Sequence, residues 1–153
     1  MTRLSWSTWF SRLIVAAATF IMSMIALGNL RDPIGATRQM GIELTSPSAI
    51  TVFRVGFGGF PLGFAIALFG CLISTRRLLI GVSLVTAVIG AATLARIQGL
   101  LVDGVTSYNL ALLRPEVVML TLSLVAIVLE RRRRLQSSGA ARIAGAWQPS
   151  ASR

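Results

Sequence analysis

The chain has 153 residues, of which 54% are hydrophobic and 13% are charged, and its formal net charge is +10. Soluble domains of this length carry about 25% charged residues, so this composition excludes a water-soluble globular protein. All 15 basic residues are arginine, and histidine is absent. Lysine-dependent and imidazole-dependent catalysis and histidine-ligated metals are therefore excluded, and the single cysteine cannot form an internal disulfide or a thiolate metal site.

The arginines separate apolar stretches of the chain and do not line one basic face. This pattern indicates membrane topology and not nucleic-acid binding. The lipid bilayer is thus the predicted partner, with no nucleic acid, no cofactor and no metal. No nucleophile–base pair is visible either, so we predict no catalytic residues and no enzyme activity.

Charge-free runs mark the membrane spans, because a hydrocarbon core of about 30 Å requires about 20 apolar residues per helix. Three long runs and a shorter fourth run occupy residues 13–30, 55–75, 78–95 and 117–129. The fourth run reaches the length of a span if Pro115 is the first helical residue and the arginines after Glu130 extend their side chains to the interface.

The sequence therefore predicts an all-α fold, a four-helix transmembrane bundle that occupies residues 1–134. The predicted helices are at about 10–30, 48–75, 78–102 and 112–134. Residues 135–153 are rich in Ser, Gly, Ala and Gln, which predicts a disordered cytoplasmic tail.

The arginine distribution predicts the orientation of the bundle. The amino terminus, the Arg76–Arg77 turn and the tail lie on one side and hold most of the arginines, whereas most of the acidic residues lie on the other side. The positive-inside rule then places both termini in the cytoplasm. Cleavage of a signal peptide after Gly28 is an alternative, but the apolar run continues to Leu30, which favours an uncleaved first helix.

Small residues form a stripe along the second helix. Their spacing of three and four places Gly56, Gly59, Gly63, Ala67 and Gly70 on one face. Such stripes mediate close helix packing in membranes, which predicts packing against a neighbouring helix of the same chain, with homodimerisation as the alternative. A ridge on the third helix offers a mate for this face, namely Ala87, Ala91 and Ala95.

Prolines mark two further points of the second helix. Ser46 followed by Pro47 is typical of a helix N-cap and first turn. Pro61 lies inside the helix, where it is expected to kink the helix or to free a backbone carbonyl. A tolerated kink is favoured over a transporter-like binding site.

Ionisable residues near the side opposite the termini form the candidate binding site. Arg54, Arg96, Asp103 and Glu116 are all expected at a similar membrane depth, where such groups face the bundle interior. Ion-paired clamps between helices are the simpler interpretation. The alternative is a polar pocket for an anionic or quinone-like headgroup, lined also by Tyr108 and Asn109.

Two other features have simple interpretations. The run Arg131, Arg132, Arg133 and Arg134 is predicted to fix topology and to contact lipid headgroups. Cys71 lies off the glycine stripe in the second helix and is predicted to be a packing residue.

Three short motifs carry a resemblance. They are residues 53–59 (FRVGFGG), residues 95–104 (ARIQGLLVDG) and residues 114–116 (RPE). In this order they resemble a family of uncharacterised four-helix bacterial membrane proteins, distantly similar to the DoxX-like group. The resemblance covers about residues 10–132 and implies a four-helix bundle in a bacterial inner membrane, without an established activity.

Two classes of function are compatible with the sequence. The favoured class is a structural or accessory subunit that packs against a membrane partner or against a second copy. The alternative is a carrier or binder of a small anionic or quinone/lipid-like ligand, which uses the cluster of Arg54, Arg96, Asp103 and Glu116.

Overall fold

The computed structural model describes residues 6–146, without the side chains of residues 39 and 137–146. The chain is all-helical over these residues. The helices are α1 (Trp6–Arg31), α2 (Pro33–Gln39), α3 (Pro47–Phe53), α4 (Phe60–Leu72), α5 (Leu78–Val102) and α6 (Ser107–Ala146). A π-helical segment, Arg54–Gly59, joins α3 to α4 without a break.

Four of these helical stretches are long and apolar enough to cross a membrane. Span 1 is Trp6–Arg31, span 2 is Pro47–Leu72, span 3 is Leu78–Val102 and span 4 is Ser107–Gln136. Large apolar side chains point outward along all of them, for example Leu13, Phe60, Leu94 and Val118. In water such a surface would aggregate, whereas in a bilayer it faces lipid. The predicted all-α four-helix bundle is confirmed, and the chain fits a multi-pass membrane protein.

Side-chain caps and a proline determine where α2 and α3 begin. The Asp32 carboxylate accepts a hydrogen bond from the backbone N–H of Gly35 at 2.9 Å, which caps α2. The Ser46 hydroxyl accepts one from the N–H of Ala49 at 3.1 Å, and Pro47 occupies the first turn of α3. The start predicted from Ser46 and Pro47 is confirmed.

Helix α6 extends beyond the predicted fourth helix at both ends. It begins at Ser107 and not near residue 112, because the Thr106 hydroxyl accepts a hydrogen bond from the N–H of Asn109 and starts the helix early. Pro115 therefore lies inside the helix and is not its first residue. At the other end, residues 135–146 were expected to be disordered but continue the helix to Ala146, since alanine and arginine favour helix and no proline lies between Pro115 and Pro149. The rest of that tail, 147–153, lies outside the described residues.

The bundle centre is formed by small and branched side chains of all four spans. Span 1 contacts the other three, span 2 packs chiefly on span 1, and span 3 packs chiefly on span 4. Spans 2 and 4 share no extensive interface within the described chain. A hydrogen bond of 2.9 Å between the hydroxyls of Thr86 and Ser123 joins spans 3 and 4. The core residues are Ile14, Val15, Ala18, Leu68, Val82, Val85 and Ala126.

Candidate functional site

The strongest polar contact between spans is a two-pronged ion pair of spans 3 and 4. Arg96 Nε lies 2.9 Å from Glu116 Oε2, and Arg96 Nη2 lies 2.7 Å from Glu116 Oε1. Arg96 Nη1 also donates to Asn109 Oδ1 at 3.2 Å. Asn109 and Glu116 are seven residues apart on α6 and therefore share the helix face that meets Arg96. Two-pronged pairs of this kind are strong and fix the orientation of both groups.

This ion pair is neither fully buried nor fully exposed. The exposed fractions are 22% for the Arg96 side chain and 17% for the Glu116 side chain. Arg96 has five N–H groups, and the contacts to Glu116 and Asn109 engage three of them. The guanidinium therefore keeps donor capacity for another acceptor.

The other two residues of the expected four-residue cluster lie elsewhere. Arg54 is exposed at the start of the π-helical segment, and its span packs on span 1 and not on span 4. Asp103 follows the last residue of α5 and is exposed, with one carboxylate oxygen 3.6 Å from the Cβ position that Gly99 would have as alanine. Asp103 is the C-cap of α5, and among the described residues no hydrogen bond or ion pair joins it to Arg96 or Glu116. The structure brings together only Arg96 and Glu116.

A cavity of about 480 Å³ lies between α1, α5 and α6, directly beside this pair. Its walls are aliphatic, with Ile25 from α1, Ile89 from α5 and Met119 from α6 among them. In the described chain Glu116 is the one charged residue that lines it. The cavity is thus apolar with one polar end, which is the usual make-up of small-molecule sites of this size.

Thr93 adds an unused polar group on the same face of α5. Its side chain is 5% exposed, and its hydroxyl has no hydrogen-bond partner among the described residues. Thr93 lies one turn from Ile89, which lines the cavity, and one turn from Arg96. Buried polar groups without hydrogen-bond partners are rare, so this hydroxyl is an unusual feature of span 3. Nothing in the spacing of the sequence marks Thr93 as special.

The glycine stripe of span 2 faces away from the rest of the chain. A Cβ atom added at Gly56, Gly63 or Gly70 would meet nothing within 4 Å, so the expected packing of this face inside the chain is wrong. A groove of about 460 Å³ runs along the face and is lined by Val55, Gly59, Phe60, Gly63 and Phe64. The suggested mates Ala87, Ala91 and Ala95 are also exposed.

Two glycines outside the stripe make the close contacts instead. A Cβ at Gly58 would lie 2.7 Å from Leu30 Cδ2, and one at Gly81 would lie 2.9 Å from Cys71 Cβ. The π-helical segment explains why Gly58 faces span 1. Its wider turn rotates the following residues relative to a regular α-helix, whereas the predicted stripe requires a regular α-helix throughout span 2. The predicted packing role of Cys71 is confirmed, since Cys71 is buried.

The backbone carbonyl freed by Pro61 is occupied by a side chain. Pro61 has no N–H to donate to the carbonyl of Phe57, four residues earlier. The Asn29 amide of span 1 donates to this carbonyl at 3.0 Å and to the carbonyl of Ile25 at 2.9 Å. The predicted opening at Pro61 is thus a helix-to-helix contact.

A fully buried carboxylate lies near the other end of span 4. Glu130 is 0% exposed and accepts hydrogen bonds from Arg133 and Arg134 on its own helix. Arg134 Nη2 also donates to the carbonyl oxygen of Arg76 at 2.7 Å. Sequence analysis missed Glu130, although its position three and four residues before two arginines is a helix-pairing signal.

Over the residues whose structure is described, no group of three or more Cys, Asp or Glu residues is placed to hold a metal ion. Comparisons with protein-family models, with curated proteins and with solved structures found no match. The resemblance to the DoxX-like group therefore remains a prediction from three short motifs.

Proposed function

We propose that this membrane protein binds a small amphiphilic molecule whose apolar part fills the cavity between α1, α5 and α6. The observation that carries the proposal is the position of Glu116, which is paired with Arg96, in the wall of that cavity. A ligand would place its polar head against the pair and leave its apolar part among Ile25, Ile89 and Met119. The cavity volume of about 480 Å³ fits a headgroup with part of a chain.

The charges at the site favour a neutral headgroup. Glu116 balances Arg96, and an anion placed beside the pair would meet the carboxylate that lines the cavity. A carbonyl oxygen accepts hydrogen bonds without that repulsion, and Arg96 retains free N–H groups to donate. A quinone-like head on an apolar chain has this chemistry.

The test is a titration of the purified protein in detergent with a short-chain benzoquinone, followed by native mass spectrometry. The variant Ala92→Phe fills the cavity from its wall and changes neither residue of the ion pair. Ala91→Phe is the matched control, because Ala91 is exposed on the same helix and is not a lining residue. We expect at least a tenfold loss of binding for Ala92→Phe and none for Ala91→Phe. Equal binding by both variants would overturn the proposal.

A second candidate function is that of an accessory subunit that packs against a membrane partner or a second copy. The exposed glycine face of span 2 favours it, since no part of the described chain covers this groove. Gly63→Leu would fill the groove, and Gly28→Leu is its control because a Cβ at Gly28 also meets nothing within 4 Å. Loss of a co-purifying protein or a dimer only in Gly63→Leu supports this function. A monomer without partners in the unaltered protein contradicts it.

We also propose that both termini face the cytoplasm, on the basis of the arginine distribution. Cys71 is buried, so new cysteines report accessibility with little background. In intact cells, a membrane-impermeant maleimide should label Thr106→Cys and not Thr75→Cys. The reverse pattern would refute this orientation.

A further inference from the structure

One end of the bundle is rich in arginine and is called the arginine-rich end. It holds the start of α1, the α4–α5 turn and the arginine run. Its described part contains Arg12, Arg76, Arg77 and Arg131–Arg134, and Glu130 is the acidic residue among them. Glu130 is fully buried and is held by Arg133 and Arg134. The remaining positive charge at this end is therefore not neutralised by the Glu130 carboxylate.

The Arg134 contact ties the arginine run to the α4–α5 turn. Because Arg134 donates to the carbonyl of Arg76, the turn lies against the flank of α6. Arg131 is three residues before Arg134 and adjoins it on that flank, whereas Arg132 projects from the other side of the helix. Arg76, Arg77 and Arg131 are exposed and form no ion pair with any described residue. These three residues are called the turn patch.

Apolar side chains lie next to the turn patch. Ile73 precedes the turn and is 74% exposed, and Ile80 lies one helical turn after Arg77 and is 57% exposed. In addition, none of the described side chains caps the first N–H groups of α5, which begin just after Arg77. The patch thus offers positive charge and free donors beside a surface that faces lipid chains. A partner that fits both features carries a phosphate and apolar chains.

We propose that the turn patch is a binding site for the phosphate of an anionic phospholipid in the adjoining leaflet. The lipid phosphate lies between the guanidinium groups of Arg77 and Arg131, and its chains lie along Ile73 and Ile80. Arg133 and Arg134 do not bind the headgroup, because they hold Glu130. The sequence predicts that all four arginines of the run contact lipid headgroups. In this proposal only Arg131 does so, together with the arginines of the α4–α5 turn. It does not depend on the ligand of the cavity.

The test compares retention of phosphatidylglycerol and phosphatidylcholine by the full chain in native mass spectrometry. The variant Arg77→Gln/Arg131→Gln removes two charges from the turn patch. Arg31→Gln/Arg38→Gln is the control, since it removes two exposed arginines at the other end and gives the same net charge. Each arginine near a membrane surface contributes about 1 kcal/mol, or about fivefold, so we expect roughly 25-fold weaker phosphatidylglycerol binding in the patch variant alone.

Further measurements separate the remaining outcomes. Arg77→Lys/Arg131→Lys keeps the charge and is expected to bind phosphatidylglycerol more tightly than Arg77→Gln/Arg131→Gln. If the glutamine variant fails to accumulate, the lysine variant still allows lipid binding to be measured. Inorganic phosphate should not displace the lipid at equal concentration; displacement would show a site for free phosphate instead. Equal retention of both lipids by the unaltered chain, or an equal loss in both double-glutamine variants, would overturn the proposal.

Discussion

Glu116 and Glu130 lie on the same helix, fourteen residues apart, and each is paired with arginine, but their surroundings differ. Glu130 is fully buried and bonded to two arginines of its own helix, one of which also holds the α4–α5 turn. Glu116 is paired across two spans, is partly exposed and borders a cavity. The Glu130 carboxylate is thus enclosed by contacts within the fold, whereas Glu116 and its arginine remain accessible to another molecule.

The same contrast separates the glycines. Gly58 and Gly81 are used by the fold, since a side chain at either position would collide with a neighbouring span. A Cβ atom added at Gly63 would meet no described atom within 4 Å. A residue type or spacing alone therefore does not tell a packing role from a free surface. The neighbours decide, and the contrast predicts different costs for the same substitution.

The largest effect is expected for Glu130→Ala. This change removes a fully buried carboxylate and its hydrogen bonds to Arg133 and Arg134, whose side chains are partly exposed, so a loss of about 2–4 kcal/mol is expected. The free energy of unfolding in detergent and denaturant measures the loss. The control Glu43→Ala removes an exposed acid and should change little. A loss for Glu130→Ala as small as that of Glu43→Ala would contradict the structural role of Glu130.

Smaller losses are expected at the Arg96–Glu116 pair. Glu116→Gln and Arg96→Gln should each lower the free energy of unfolding by about 1–3 kcal/mol, between the values for exposed and buried pairs. The double variant should lose less than the sum of the two, because neither residue then leaves an unpaired charge. Additive losses would mean that the ion pair does not form in the membrane protein.

The glycine contrast predicts changes of opposite sign. Gly81→Ala brings a Cβ to 2.9 Å from Cys71 Cβ and 3.3 Å from Val15 Cγ2, so a net destabilisation of about 1–2 kcal/mol is expected. Gly63→Ala has free space and gains helix propensity, so it should be neutral or stabilising by about 0.5 kcal/mol. The thermal midpoints of the two variants measure the difference. A shift of the thermal midpoint with the same sign in both variants would contradict the distinction between the packed Gly81 and the open Gly63.

The smallest loss is expected for Asn29→Leu. The variant leaves the Phe57 carbonyl without its side-chain donor beside Pro61, which costs about 1 kcal/mol in a membrane helix pair. The comparison variant Ser83→Leu replaces an exposed polar residue of span 3 and should not destabilise the protein. An unchanged unfolding curve for Asn29→Leu would show that the opened carbonyl has no need of Asn29.

The sequence carries the features that depend on neighbours along the chain. Charge-free runs locate the four spans, Ser46 with Pro47 marks the start of span 2, and Pro61 indicates the freed carbonyl. Hydrophobicity and capping are local properties, so one sequence suffices to infer them. Span 4 is the exception, because Thr106 and Pro115 are both acceptable helix starts and only the structure distinguishes them.

The candidate site depends on which spans are neighbours, and this cannot be inferred from spacing. Arg54 and Glu116 were expected together because they lie at similar depth, but spans 2 and 4 have no extensive interface. The π-helical segment changes the helix phase within span 2, so the inward glycine is Gly58 and not a member of the stripe. The cavity beside Glu116 likewise results from the packing of three helices.

The most direct test of ligand binding beside Glu116 is native mass spectrometry of the protein extracted from its own membranes in mild detergent. We expect one discrete small molecule to be bound to the unaltered chain and to Ala91→Phe, and to be absent from Ala92→Phe. An unaltered chain without any bound small molecule, or a molecule that Ala92→Phe retains equally, would contradict the account.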